Sequence, residues 1–116
     1  MKLYDQDLLD TLTDGFISID KNFTIVQVNK VQESIAGLSR EDQIGNNLID
    51  LYFSTPETKD SPTIGIYQKV FSQNQSISFS EFYAPLSTWF QVEVHPSEGG
   101  IYALFKDITK LSFRII

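Results

Sequence analysis

Residues 101–111, IYALFKDITKL, pass from a strand-forming run directly into a helix-compatible segment near the end of the 116-residue chain. In the strand part, Ile101 and Ala103 share one face, while Tyr102 and Leu104 share the other. An antiparallel sheet with one solvated face shows polar residues on that face. Because both faces of this strand are apolar, we expect its second face to be covered by the N-terminal helix, a second subunit, or both.

The composition is that of one globular domain, with 41% hydrophobic and 21% charged residues. The chain has no cysteine, which excludes disulfides, thiolate metal sites and cysteine nucleophiles. The net charge is −6, and the acidic excess lies in residues 1–60. An acidic chain without a basic stripe argues against direct binding of nucleic acid or anionic membranes.

No basic-apolar signal peptide begins the chain, and no apolar run approaches the length of a membrane span. We therefore expect a cytoplasmic domain without direct membrane insertion.

Cap and turn residues divide the first half of the chain into short elements. Apolar residues recur at helical spacing in YDQDLLDTLTDG, residues 4–15, which predicts an N-terminal helix. FISID and TIVQV predict a hairpin. Asn29 is the expected N-cap of a short helix that ends at Gly37, and Ser39 caps the next, which ends at Gly45.

The second half begins with a longer helix at Ser61-Pro62 and continues as three strands, SISFSEFYA, TWFQVEVHP and GIYALFKDI. This order predicts an α+β fold: a five-stranded antiparallel sheet with short helices on one face and an N-terminal flanking helix.

Several segments at the element boundaries of this arrangement resemble those of a PAS domain, the sensory module of many signalling proteins. The matching features are DGFISID in the first strand, Asn29 after the second, GLSREDQIGNNLIDL, the turn at Gly99-Gly100, and Asp107-Ile108-Thr109. The resemblance implies a flanking or dimerisation helix at residues 1–14 and a PAS domain at 15–109. Residues 110–116 would begin a linker helix to an output domain.

By this resemblance the sheet and the short helices enclose a cavity for a small ligand or cofactor. The last strand would relay a conformational change to a histidine kinase, a cyclase or a transcription regulator in the same parent chain. In the family, the aspartate and threonine of this exit signature fix the strand-to-helix junction through local hydrogen bonds. The resemblance therefore implies Asp107 and Thr109 as the signal-relay residues, in keeping with the way short polar side chains bond to nearby backbone groups.

The ligand-pocket candidates come from the short helices, the long helix and the inward face of the sheet. They are Ile35, Leu38, Ile44, Leu48, Tyr52, Tyr67, Gln68, Phe71, Phe79, Phe90 and Val92. Apolar walls with few polar groups suit a small-molecule site. The same residues would equally fill a close-packed core. A ligand-free interaction or dimerisation module is therefore the alternative to a sensor.

The N-terminal apolar stripe also has two interpretations. Tyr4, Leu8, Leu9 and Leu12 either pack on their own sheet or pair with a second subunit. PAS domains often dimerise through this region, so the resemblance implies a homodimer.

The sequence identifies no cofactor, metal site or catalytic group. The sole histidine, His95, lies in a strand, whereas haem-binding PAS domains take their ligand from the long helix. A cysteinyl-flavin adduct needs a cysteine, although flavin without an adduct stays open. No calcium-loop motif is present. An enzyme would need a buried acid facing the cavity, and the pattern singles out none.

Overall fold

The computed structural model describes residues 2–110. In it, strands from both halves of the chain form one sheet. The strand order is β2-β1-β5-β4-β3, and every neighbouring pair is antiparallel. The strands are β1 Gly15–Asp20, β2 Ile25–Val28, β3 Ile77–Tyr83, β4 Thr88–Ser97 and β5 Gly100–Asp107. The predicted α+β class and five-stranded antiparallel sheet are confirmed.

The helices are short apart from one. They are α1 Gln6–Leu9, α2 Lys30–Ala36, α3 Arg40–Gln43, α4 Leu48–Tyr52 and α5 Thr63–Gln73, with a 3₁₀ turn at Ala84–Leu86. Helices α2 to α5 follow β2 in the chain and precede β3, so they form one insert between the two halves of the sheet. In the described part of the chain, none of these helices has the length and apolar composition needed to cross a bilayer.

Local side chains set the helix starts. Asn29, Ser39 and Asn47 each accept a hydrogen bond from a backbone N–H in the first turn of α2, α3 and α4. Helix α2 ends at Gly37, whose φ of 67° lies in the left-handed region that glycine adopts most readily. At α5, the Ser61 hydroxyl oxygen accepts from the Thr63 N–H at 3.2 Å.

The core lies between the inner face of the sheet and helices α4 and α5. Side chains from four strands and two helices are fully or almost fully buried there; they include Ile17, Ile25, Leu48, Tyr67, Val70, Phe90, Val92, Val94 and Ile101. The inner face therefore supplies most of the apolar area whose burial stabilises the fold.

The N-terminal segment covers part of the outer face of the sheet. The Tyr4 ring packs edge-on against Phe16 and Tyr102, at centroid distances of 5.6 Å, and Leu9 is buried. Leu8 is 64% exposed and Leu12 is half-buried. Two of the four dimer candidates, Tyr4 and Leu9, thus pack on their own domain. Contact with Tyr4 explains why the outer face of β5 carries an aromatic residue, Tyr102.

Helix α1 spans four residues rather than the whole stretch from residue 4 to the glycine stop at 15. Its end is set by tertiary contacts: the Leu9 carbonyl accepts from the Asn29 side chain, and the Asp10 carboxylate accepts from the Lys30 N–H. Extending α1 would break these hydrogen bonds to Asn29 and Lys30. The apolar periodicity of residues 4–15 gives no information about them.

Asn29 joins three segments through one fully buried side chain. Its Oδ1 accepts from the N–H groups of Phe16 and Gln32, both at 3.0 Å. Its Nδ2 donates to the carbonyls of Leu9 and Asp14, both at 2.9 Å. The N-terminal segment, the start of β1 and the start of α2 are therefore held at one point.

Replacing Asn29 by alanine is expected to lower the free energy of unfolding by about 3 kcal/mol, because buried donors and acceptors on three segments would lose their partners. Urea denaturation followed by circular dichroism measures the change. Asn22→Ala, in the exposed turn between β1 and β2, is the matched control. A loss at Asn29 no larger than that at Asn22 would contradict the role given to this side chain.

Candidate functional site

A cavity lies between the inner face of the sheet and helices α2, α4 and α5. Its free volume is about 50 Å³, which is space for roughly four waters. The lining comes from all three helices and four strands: Ile17, Gln32, Ile35, Ala36, Leu48, Tyr52, Phe53, Tyr67, Glu81, Tyr83, Leu86, Phe90 and Phe105. The wall is mainly apolar, with a few polar groups, as small-molecule sites are.

Five of the eleven predicted pocket residues line this cavity: Ile35, Leu48, Tyr52, Tyr67 and Phe90. Helical spacing and strand alternation were sufficient to place these five, since each is an apolar or aromatic residue on the inward side of its element.

The other six predicted pocket residues lie elsewhere. Val92 is fully buried in the core, and Phe71 and Phe79 pack against that core. Leu38 is half-buried; Gln68 and Ile44 are exposed, Ile44 by 40%. Gln68 follows Tyr67 directly on α5, so the helical turn that brings Tyr67 to the cavity directs Gln68 away from it.

Glu81 is the acid in the cavity wall that the sequence analysis did not single out. It lies on the inner face of β3, between Phe79 and Tyr83 in the alternation of that strand. The hydroxyls of Ser61 and Thr63, at the start of α5, both donate to its Oε2. Burial raises the pKa of Glu81, and the Ser61 hydrogen bond opposes that shift in part.

Strand alternation was the signal that could have identified Glu81, because it shares a face with Ile77 and Phe79. One carboxylate without a neighbouring base or nucleophile does not make a catalytic site. It does provide one acidic group in a mainly apolar wall.

A chain of side-chain hydrogen bonds runs from the cavity to α3. Gln32 Nε2 donates to the Tyr52 hydroxyl at 3.5 Å, and that hydroxyl donates to Gln43 Oε1 at 2.6 Å. Gln43 Nε2 then donates to the Leu38 carbonyl. Gln32 Oε1 is buried and has no hydrogen-bond partner within residues 2–110. Leaving such an oxygen unpaired is costly. It is sealed from solvent and lies against β1, where a Cβ atom at Gly15 would come within 2.8 Å of it.

Two further tyrosines complete the polar wall. The Tyr83 hydroxyl donates to the Tyr52 carbonyl at 2.6 Å. Burial raises the pKa of Tyr83 to about 12, and the neighbouring Tyr52 and Glu81 add to the shift. Burial also raises the pKa of Tyr67, with Glu81 adding to the shift. Both phenols are therefore neutral at physiological pH.

The strand-to-helix junction after β5 is held by the two predicted relay residues. Asp107 Oδ1 accepts from the Thr109 N–H at 2.9 Å, and the Trp89 N–H donates to Thr109 Oγ1 at 3.1 Å. The Trp89 carbonyl accepts from the Ile108 N–H. Thr109 and Lys110 have helical backbone. The remaining residues of the expected linker helix, 111–116, lie outside the described part of the chain.

His95 lies on the outer face of the sheet, away from the cavity. Its Nδ1 is 2.7 Å from the Ser76 hydroxyl, its ring stacks on Tyr102, and its Nε2 is 3.9 Å from Glu93. His95 is therefore a surface residue whose side chain is held by local contacts. Within residues 2–110, no group of three or more His, Cys, Asp or Glu side chains is arranged to hold a metal ion.

Stability should depend on pH through Glu81. Its pKa is raised in the folded domain, so ionisation costs stability as the pH rises above the ordinary glutamate value of 4.5. Glu81→Gln keeps an acceptor for Ser61 but removes the charge. Its free energy of unfolding relative to wild type should therefore increase as the pH rises from 4.5, and then level off above the folded-state pKa.

Urea denaturation between pH 4 and pH 8 measures this difference. The exposed Glu57→Gln serves as the control for loss of a surface carboxylate. A Glu81→Gln difference that stays constant over the whole pH range would show that the Glu81 carboxyl is not destabilised by burial.

The comparisons with known proteins agree with this architecture. The PAS domain of a protein from Colwellia psychrerythraea is 21% identical at a TM-score of 0.68, with 90% of this chain and 93% of that one covered. The photoactive yellow protein domain of the sensor histidine kinase Ppr from Rhodospirillum centenum is 16% identical at 0.66, covering 89% and 93%.

A third similar structure is the PAS domain of the RpfR quorum-sensing receptor from Cronobacter turicensis in complex with BDSF. It is 20% identical at a TM-score of 0.68, covering 84% of this chain and 96% of that one. No protein of curated function is significantly similar to the chain. The family model of the PAS fold matches residues 4–100, and the chain therefore belongs to the PAS-fold family.

Proposed function

We propose that this domain is a sensor that binds a small molecule in the cavity and relays binding through β5 to an output domain in its parent chain. The observation that carries the proposal is the position of Phe105, which lines the cavity two residues before Asp107. A change in the cavity wall thus reaches the strand-to-helix junction along one strand, without an intervening loop.

Strand β4 provides a second connection. Phe90 also lines the cavity and packs edge-on against Phe105 at a centroid distance of 6.2 Å. In the sheet register Phe90 is paired with Asp107, and the preceding residue, Trp89, holds Thr109 and Ile108. A ligand that displaces the two rings would move both sides of the junction at once.

The size of the signal is limited by how differently a ligand binds two states of this junction. In the state described here the junction is closed by three hydrogen bonds that involve Asp107, Trp89 and Thr109. A ligand that strains the cavity wall would favour a state in which at least one of them is broken.

The similar structures support a sensory function. They include the PAS domain of a quorum-sensing receptor and a domain of a sensor histidine kinase. By analogy with PAS sensors, the output domain is a histidine kinase, a cyclase or a transcription regulator, joined through residues 110–116. The domain body is residues 15–109, it resides in the cytoplasm, and it contacts neither nucleic acid nor the membrane directly.

A ligand-free dimerisation module is the second candidate function. It is favoured by the half of the outer sheet face that the N-terminal segment leaves open, where Phe82 and Trp89 are 48% and 40% exposed and their rings are 5.4 Å apart. Leu8 is a further exposed apolar residue. A homodimer through this face is compatible with either function.

Native mass spectrometry of the purified domain separates the two candidates and reports the subunit number. The sensor proposal predicts a bound small molecule that fills the cavity, whose free volume is about 50 Å³. Denaturation should release it. A protein that is consistently empty, and that stays empty after incubation with cell extract, would favour the interaction module.

Removing the Asp107 carboxylate tests the relay. In Asp107→Ala the Thr109 amide loses its acceptor, so its hydrogen exchange should accelerate by about tenfold or more, while ligand affinity changes little because Asp107 does not line the cavity. Hydrogen exchange followed by NMR measures the first quantity. Lys106→Ala, at the exposed neighbouring position, is the control. Equal loss of folding, ligand affinity and junction protection would contradict a specific relay role.

A further inference from the structure

The cavity wall contains an acidic side chain without a matching basic one. Glu81 is the sole carboxylate in the lining, and no lysine, arginine or histidine lies beside it there. Among residues 2–110, the ion pairs join Arg40 to Asp10 and Glu33, and His95 to Glu93, so Glu81 belongs to none of them. Its hydroxyl partners both donate to Oε2, which leaves Oε1 for a further donor.

The other polar groups of the wall are the Gln32 amide and the hydroxyls of Tyr52, Tyr67 and Tyr83. Gln32 is 4% exposed, its Nε2 faces the Tyr52 hydroxyl, and its Oε1 has no partner in the described chain. The donor hydrogens of Tyr52 and Tyr83 are already taken by Gln43 Oε1 and the Tyr52 carbonyl. No hydrogen bond within residues 2–110 engages the neutral Tyr67 hydroxyl, so the wall also offers one donor, and its free acceptor is Glu81 Oε1.

The apolar part of the wall is predominantly aromatic. Six rings line the cavity: Tyr52, Phe53, Tyr67, Tyr83, Phe90 and Phe105. The face of such a ring attracts a cation, and the attraction is stronger where water is excluded. Aromatic rings around a single carboxylate thus form an environment that suits an organic cation with a short apolar part.

From this arrangement we infer that the ligand class of the cavity is a small primary ammonium compound, whose N–H groups pair with Glu81 while its alkyl part contacts the rings. This inference rests on the proposed sensor function and narrows it. A carboxylate ligand would place a second negative charge beside Glu81 with no basic residue to offset it. A purely apolar ligand would leave Glu81 Oε1 without a donor.

The free volume sets the size of the compound. Space for roughly four waters admits a chain of about three or four non-hydrogen atoms. Propylammonium therefore serves as the probe, with 1-propanol as the neutral and propionate as the anionic compound of matched length. Potassium chloride at equal ionic strength controls for nonspecific salt effects.

NMR titration of the isotope-labelled domain measures all three affinities. Propylammonium is expected to shift the resonances of cavity residues and to bind about tenfold or more tightly than 1-propanol, since hydrogen bonds to a charged group are the stronger ones. Propionate is expected not to bind. Tighter binding of 1-propanol or propionate than of propylammonium would overturn the ammonium assignment and would leave the sensor proposal intact.

One variant locates the charged contact. Glu81→Gln, which keeps the shape of the side chain, should weaken propylammonium binding by about tenfold to a hundredfold. Glu57→Gln should leave it unchanged, and the dispersion of each spectrum shows whether the variant is folded. Unaltered affinity in a folded Glu81→Gln protein would overturn the assignment. Failure of all three probes in a domain that native mass spectrometry also finds empty would overturn the sensor proposal as well.

Discussion

The buried side chain of Asn29 is the constraint on which the rest of the structure depends. Its four hydrogen bonds fix the N-terminal segment, the first strand and the first helix of the insert to one another. Helix α2 then lies so close to β1 that a Cβ atom at Gly15 would come within 2.8 Å of Gln32 and Ile35. Those two residues form the part of the cavity wall opposite the sheet. Without the anchor at Asn29, the cavity would have no defined boundary on this side.

The two faces of the sheet have different tasks as a result. The inner face carries the core, the aromatic wall of the cavity and Glu81. The outer face is covered by the N-terminal segment over β1 and β5 and is open at Phe82 and Trp89. Trp89 connects the open outer face with the junction after β5. Its side chain lies on that face, and its backbone hydrogen-bonds to Thr109 and Ile108.

Much of the fold could be predicted from local signals, because the elements begin and end at residues with local causes. Asn29 and Ser39 cap helices in the structure as their side chains predict, and Gly37 takes the left-handed conformation. The N-terminal helix was predicted too long, since contacts with Asn29 and Lys30, distant in sequence, decide where it ends. Local periodicity carries no information on such contacts.

The site was predicted less completely, for a physical reason. Apolar character identifies residues that leave water, but it does not distinguish a cavity wall from a filled core, so Val92 and Phe90 looked alike. Glu81 was overlooked because its charge suggested an exposed position, although strand alternation placed it inward. Gln32 was not among the predicted pocket residues, although it lines the cavity.

The most direct test of the account follows the junction while the cavity is filled. Amide and indole resonances of the labelled domain should be recorded during titration with the bound small molecule recovered from the purified protein, or with propylammonium. Coupling through β4 and β5 predicts that Trp89, Ile108 and Thr109 shift together with Phe90 and Phe105, at the same ligand concentration. Shifts confined to the cavity, with the three junction residues unchanged at saturation, would contradict it.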